Sequence, residues 1–476
     1  MTETALVWFR RDLRTHDNPT LAAAADADRL LPVSVFDPRR FGVREFGGSD
    51  SFAYRRPGPH RAQFLVESVA DLRSQLRLAG SDLLVREGPP AAVLADLAKT
   101  MGADAVHAST YPTAEERETE RAVEEALSEQ GVDLHTRWTH TLHHPEDMAD
   151  GGRTVDDTFT NFRRRIEDRV PVRDPVPEPS LPPRPDVPPG EIPSVEGLGV
   201  DPPAADDRTA FPFDGGESAG LARLDDWIWG QDRLRRYKET RNGLTGADYS
   251  SKLSGWLALG CLSPRRVQHA VDAYERDRVE NDSTYWLTFE LRWRDFFQFQ
   301  FRKHGTAFWT PGGIRRRAID WRNDEAALER WRAGQTGVPF VDAGMRELAA
   351  TGYVSNRARQ VVASFLANDL RIDWRRGAAH FERELVDYDP ASNYGNWAYV
   401  AGVGNDSRDR SFDVLAQARR YDPEASFVKR WAPELADLPP EYAHGPWQLP
   451  RNRRREFGIE LGTDYPWPLL DPAEFL

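Results

Sequence analysis

Between Val354 and Asp406 the chain sets Asn356, Arg359, Asp387, Asp389, Asn393 and Asn396 among apolar and aromatic neighbours. Polar groups in such company are costly to bury without partners. Either they solvate one another, or they face a ligand whose edge carries several donors and acceptors. Residues 360–372 have apolar side chains at helical spacing. ASNYGNWAYVAGVG, with three glycines, reads as backbone in close approach to something, and a large planar ligand would suit it. A second set is Glu290, Arg292, Trp293 and Arg294 within TYWLTFELRWRDFFQFQF. A carboxylate one turn from Trp286 and Trp293 suits a heteroaromatic base held by stacking and a hydrogen bond, or simply a helix with a Glu–Arg pair. A third set, Ser250, Ser251, Lys252 and Ser254, precedes a helical run, where hydroxyls and amides either hold a diphosphate or merely cap the helix. The spacing of Trp321, Trp374 and Trp397 says nothing among 15 tryptophans, so core packing is their default. No HExxH, CxxC, GxSxG or P-loop occurs, and His143 and His144 are merely adjacent, so no catalytic metal is expected.

These residues need elements to position them. Over residues 1–140 short apolar runs (ALVWFR, LLPVSVF, DLLVREG, DAVHAST, VDLHTRW) alternate with helical segments, which predicts a doubly wound parallel sheet with a ligand crevice at its strand ends. Residues 141–215 turn to Pro, Gly and Asp, as in VPVRDPVPEPSLPPRPDVPPGEIP, and are expected to form a surface linker without helix or central strand. Residues 216–476 show helical runs and no strand alternation, so the second domain is expected to be all-helical and to hold a cofactor by itself. At 476 residues both halves bury sizeable cores. The net charge of −13 argues against indiscriminate nucleic-acid binding, while Arg163 to Arg165, Arg315 to Arg317, and Arg451 with Arg453 to Arg455 are either solvated faces or a local basic groove. Only five lysines accompany many arginines and acids, a balance pointing to a salt-adapted or high-GC source. The single Cys261 excludes an internal disulfide and fits a small core residue in a reducing cytoplasm. The chain opens on a strand pattern without signal-peptide features, and no uncharged run reaches the roughly 18 residues that span a bilayer, so a soluble cytoplasmic protein is expected.

WFRRDLRTHDN at 8–18, KETRNGLTGADYSSKLSGWLALGCLSPR, NDSTYWLTFELRWRDFF, PFVDAGMRELAATGYVSNRARQ and NYGNWAYVAGVGND together resemble the photolyase and cryptochrome family over nearly the whole chain, and its DASH class in particular. The resemblance implies FAD folded into a U in the helical domain, and often a folate antenna (methenyltetrahydrofolate) on the α/β domain, for which Phe36, Asp37 and Glu115 are loose candidates. It sets Tyr237, Ser250, Ser251, Lys252, Leu253 and Ser254 around the FAD phosphates and ribose. Asn356, Arg359, Asp387, Asp389 and Asn393 would line the flavin, with Asn393 near its N5. Trp397, Trp374 and Trp321 match an electron-transfer chain running from flavin to surface. Glu290, Trp293 and Tyr399 match positions facing a flipped-out pyrimidine dimer, and Arg357 a DNA phosphate contact. Tyr399 stands where duplex-acting dimer photolyases usually have a second stacking Trp, and Gln360 where they usually have Met. Both departures are shared with the DASH class, whose repair favours single-stranded DNA; there a dimer escapes much of the unstacking cost of about a few kcal/mol. Ser355 and Asn356 replace the paired histidines expected of a (6-4) photolyase. The resemblance thus implies a monomeric, blue-light-dependent enzyme that repairs cyclobutane pyrimidine dimers by electron transfer from excited reduced FAD. Its alternative is a blue-light photoreceptor, against which stand the retained Glu290 and a short Pro-rich end without room for a signalling tail.

Overall fold

The computed structural model describes residues 3–47, 51–405 and 411–471, so Asp406 lies outside the described residues. Strand β1 (Thr4–Phe9) is buried along its whole length and pairs in parallel with β2 (Arg29–Phe36). β3 (Val43–Phe46) and β4 (Phe52–Arg55) form a separate antiparallel hairpin, which the sequence patterning does not signal. β5 (Leu84–Glu87) extends the sheet beyond β2, and β6 (Ala105–Ser109) with β7 (Asp133–Arg137) completes it on the other side, giving the parallel order β5-β2-β1-β6-β7. Alternate residues of β1 feed two cores. Leu6 and Trp8 join Leu94, Val123 and Leu127 from the helices Pro90–Met101 and Ala114–Ser128. Ala5, Val7 and Phe9 join Phe64, Trp256 and Leu262, so this face of the sheet shares its core with the helical half. Apolar side chains on both faces explain the unbroken hydrophobic runs of a buried parallel sheet.

The stretch 141–215 is only partly the expected linker. FTNFRRRIEDR has no Pro or Gly and forms helix α1 (Phe159–Arg169), which buries Phe159, Phe162 and Ile166 at helical spacing. Two short 3-10 helices, Pro145–Asp147 and Ala149–Gly152, precede it, and after it the chain runs without helix or strand past the sheet, where the carbonyls of Pro183 and Pro189 accept from Leu30 N–H (3.2 Å) and Val85 N–H (2.7 Å). The second bond occupies the otherwise open edge of β5. Among the described residues no strand follows β7, and no helix is long and apolar enough to cross a membrane.

The 8–18 motif locks the two halves together. Arg14 is wholly buried and donates to the carbonyls of Gly260 (2.9 Å) and Thr139 (3.1 Å). Asp17 accepts from Arg265 Nε (3.1 Å) and Val176 N–H (2.8 Å); His16 contacts Glu217 through Nδ1, and its Nε2 accepts from Ser263 N–H (3.3 Å). Removing residues 1–140 would therefore strip Glu217 and Arg265 of these partners and expose the apolar face that Trp256 and Leu262 share with the sheet. At the strand ends a crevice of about 60 Å3 remains beside β1 and β2, lined by Phe9, Arg10, Phe36 and Asp37, while the space towards β6 is filled from within. Arg10 donates to the carbonyls of Ser109 (3.0 Å) and Glu116 (3.1 Å), while the Ser109 hydroxyl bonds Asp12 and Thr139.

Candidate cofactor and substrate site

A cavity of about 520 Å3 opens between helices α2 (Ser254–Leu259), α3 (Asp282–His304), α4 (Asn356–Ser364), α5 (Trp374–Glu384) and α6 (Pro390–Val400). That volume is in the range of small-molecule sites. Each helix presents one face to it. Leu287, Glu290, Leu291, Arg294 and Phe297 come from α3; Asn356, Arg359, Gln360 and Ala363 from α4; Asn393, Asn396, Trp397 and Val400 from α6. Every residue expected to hold the cofactor lines it: Tyr237, Ser250, Ser251, Lys252, Leu253, Ser254, Asn356, Arg359, Asp387, Asp389 and Asn393. So do Glu290, Trp293, Gln360, Trp397 and Tyr399, whereas Trp374, Trp321 and Arg357 stand behind its walls.

The caps aim these faces. Asn281 accepts from Ser283 N–H (2.8 Å) and Thr284 N–H (3.1 Å) while the Thr284 hydroxyl accepts from Asn281 N–H (3.0 Å), a capping box that fixes the start of α3. Asp389 caps α6 by accepting from Ser392 N–H (2.8 Å), with Pro390 at the first helical position.

The polar residues that the sequence leaves in two alternatives divide between them. Arg359 and Asp387 satisfy each other in a bidentate pair (3.0 and 2.9 Å). Asp389 accepts from Arg11 (2.9 Å) and Gln298 (2.9 Å). Burial alone would raise its carboxyl, but Arg11, Arg294 and the Ser392 N–H outweigh that and hold it well below the usual carboxylate range. Asn393 donates to the Ala378 carbonyl (2.9 Å), which leaves its own carbonyl oxygen without a partner among the described residues. Asn356 and Asn396 are exposed, and Asn396 donates to Ser392 O within its own helix. The close approach signalled by Gly395 is to Phe297: a Cβ would have no room against that ring.

The Glu–Arg pair on α3 forms with neither Arg292 nor Arg294. Arg241 contacts Glu290 and lies 5.2 Å over Trp286, and Trp286 does not line the cavity. Trp293 stacks on Phe159 of α1 (3.8 Å, 10°), so one of its faces is taken, and Tyr399 meets it edge-on (5.9 Å, 88°). Arg357 donates to three neutral amides, Gln360 (2.8 Å), Asn242 (3.1 Å) and Gln417 (3.4 Å), and lies over Tyr421; among the described residues no carboxylate pairs with it. Trp397 presses on Gly377 of α5, while the indole N–H groups of Trp374 (3.1 Å) and Trp321 (3.3 Å) both donate to the Pro311 carbonyl. The antenna candidates do not share a cavity. Phe36 and Asp37 line a crevice of about 60 Å3, whereas Glu115 pairs with Arg56 (2.9 Å) and Arg44 (3.4 Å) elsewhere; burial would raise its carboxyl, but these arginines bring it to about 2.

Sequence reasoning misses Arg11, Arg241, Tyr249, Tyr353 and Gln298. No local spacing could find Arg11, which meets Asp389 across 378 positions. Tyr249 and Tyr353 matter through Lys252, which is 5 % exposed and has no hydrogen bond or ion pair among the described residues. Its ammonium sits 3.6 Å from the centroid of one ring and 4.4 Å from that of the other. Burial pushes that ammonium down to about 7, against the pull of Glu347 and with Arg359 and Arg223 adding to the fall. An unpaired buried cation on a cavity wall, followed by a helix start, fits a phosphate-bearing cofactor.

An α/β domain clamped to a helical domain that holds this cavity is shared with known proteins. Residues 5–182 match the family described as DNA photolyase, and residues 286–475 the FAD binding domain of DNA photolyase. The chain belongs to the photolyase and cryptochrome family, whose members act on DNA, and FAD is the cofactor its cavity fits. More particularly, it is 57% identical to the Cryptochrome DASH of Natronomonas pharaonis, covering 98% of both chains, and 50% identical to that of Gloeobacter violaceus, covering 99% of this chain and 93% of the relative. Among solved structures it is similar to the Synechocystis sp. PCC6803 cryptochrome (TM-score 0.94, 44% identity, 99% and 97% covered). It is also similar to a bacterial class III photolyase from Agrobacterium tumefaciens (TM-score 0.85, 31% identity, 100% and 96% covered).

Proposed function

We propose that the protein repairs cyclobutane pyrimidine dimers under blue light, preferentially in single-stranded DNA. The chemistry FAD supplies when bound is light-driven one-electron donation from its reduced form. The observation that carries the reading is that the Glu290 carboxylate and the Trp293 ring line the same cavity. Glu290 accepts a hydrogen bond from the extruded base, and Trp293, braced by Phe159, stacks on it. Asn393, anchored on Ala378, presents a carbonyl oxygen to the flavin, and the Arg359–Asp387 pair fixes the polarity of the same wall. Arg357 holds a strand phosphate as a cation that no carboxylate among the described residues pairs with. Tyr399 is smaller than a tryptophan and edge-on to Trp293, so the pocket returns little stacking for a base pulled out of a duplex. The test is dimer loss in single-stranded against duplex DNA, with purified protein under blue light. Equal rates on both would remove the strand preference, and no loss on either would favour the photoreceptor reading. The proposal includes a cytoplasmic monomer and a folate antenna, the latter read as a near-ultraviolet band that disappears on cofactor extraction.

Lys252 is proposed to neutralise the FAD diphosphate. Lys252→Met removes a charged hydrogen bond of about 1.5–3 kcal/mol, so FAD affinity should fall roughly tenfold to a hundredfold. In cofactor-free protein the ammonium titrates near 7, so anion binding takes up a proton above that pH. Wild-type affinity should therefore decline as pH rises from about 7 towards 9, and the variant should show a flatter slope in a flavin-fluorescence titration.

A further inference from the structure

Gln360 lines the same cavity as Glu290, and its side chain is oriented by a neighbour whose chemistry leaves no ambiguity. A guanidinium has only donors, so the Gln360 atom 2.8 Å from Arg357 Nη1 must be the amide oxygen. The amide NH2, with no partner among the described residues, is then the end left for a ligand. Glu290, an ionised carboxylate held by Arg241, can only accept. The wall thus offers one acceptor and one fixed donor.

From this pairing we infer that Gln360 makes the site selective for dimers of 4-keto pyrimidines, thymine or uracil, over dimers of cytosine. The inference rests on the repair reading above. A thymine in a cyclobutane dimer keeps its N3–H donor and C4 carbonyl acceptor, which match Glu290 and the Gln360 NH2. A cytosine presents an acceptor at N3 and an amino donor at C4, so the Gln360 NH2 would face another donor and both would lose a partner. Arg357 serves as a positioning residue in this arrangement, since its bond sets which end of the amide points inward.

The experiment measures dark binding and blue-light repair of single-stranded oligonucleotides carrying either a thymine–thymine or a freshly prepared cytosine–cytosine dimer. Wild type, Gln360→Met and Gln360→Glu are compared, each loaded with chemically reduced FAD. Wild type should bind the thymine dimer about tenfold more tightly, in line with one well-placed base contact. Gln360→Met should bring the ratio to within about twofold by removing the donor, and Gln360→Glu should do the same with side-chain size kept. Equal wild-type affinities, or the wild-type ratio surviving in both variants, would overturn the role of Gln360 and leave the repair reading standing. Dark selectivity without thymine-dimer repair would overturn the repair reading instead, and no binding of either dimer would overturn both.

Discussion

Trp397→Phe is expected to lose light-driven reduction of its oxidised FAD while still repairing dimers when the flavin is reduced chemically; Glu290→Ala is expected to do the reverse. The two residues line one cavity on different helices, and the proposed reaction uses them at different stages. Trp397 sits against Gly377, with Trp374 at the start of that same helix and Trp321 sharing a carbonyl with Trp374. Together they form a row leading away from the cavity towards half-buried Trp321, and phenylalanine breaks it at the first position. In the proposed reaction Glu290 acts where charge develops on the substrate, so removing its carboxylate should fall on repair yield more than on ground-state binding. A charged hydrogen bond of about 1.5–3 kcal/mol corresponds to roughly one to two decades. Both activities are measured in both variants on single-stranded dimer-containing DNA. Undiminished repair in Glu290→Ala would remove it from the catalytic role and shift the reading towards a photoreceptor.

The second large effect is on stability. Asp389→Asn should cost about 3–5 kcal/mol, because it strips the charge that pairs with buried Arg11 and leaves that guanidinium, among the described residues, with only Glu116 at 3.5 Å as an ionic partner. Asparagine keeps the size and the cap on α6, so loss of the cap, worth about 1 kcal/mol, is excluded as the cause. The pH dependence has a definite sign. The folded-state pKa of Asp389 is depressed, so its contribution is complete above the ordinary carboxylate pKa of about 4 and is lost as pH falls below that. Urea denaturation should show a wide gap between wild type and variant at pH 7 and a narrower one near pH 3. An equal gap at both would mean that charge is not what the pair contributes.

What was legible in the sequence was what short-range pattern encodes. Strand runs such as TALVWF are buried on both faces and carry no turn residues, and α3 announces itself through its aromatic-rich helical run. The cavity walls were legible as polar residues at positions where a helix would bury them. The pattern failed where composition was averaged over too wide a window, as when prolines after residue 170 hid the uninterrupted helical sequence of Phe159–Arg169. It failed again where the partner is remote. Nothing near Asp389 or Glu290 predicts Arg11 or Arg241, and Gly395, read as backbone in close approach to a ligand, accommodates Phe297.

The bond between Arg11 and Asp389 also sets an order in time. A ribosome adding about 5–20 residues per second needs roughly twenty to seventy-five seconds to pass from one to the other. Through that interval the nascent sheet carries an arginine whose partner has not yet been made, and Arg14 and His16 wait for Gly260 and Glu217 in the same way. The earliest part of the chain to emerge is therefore among the last to settle, and synthesis interrupted before α6 yields a sheet domain with open charged sockets where its other half should dock.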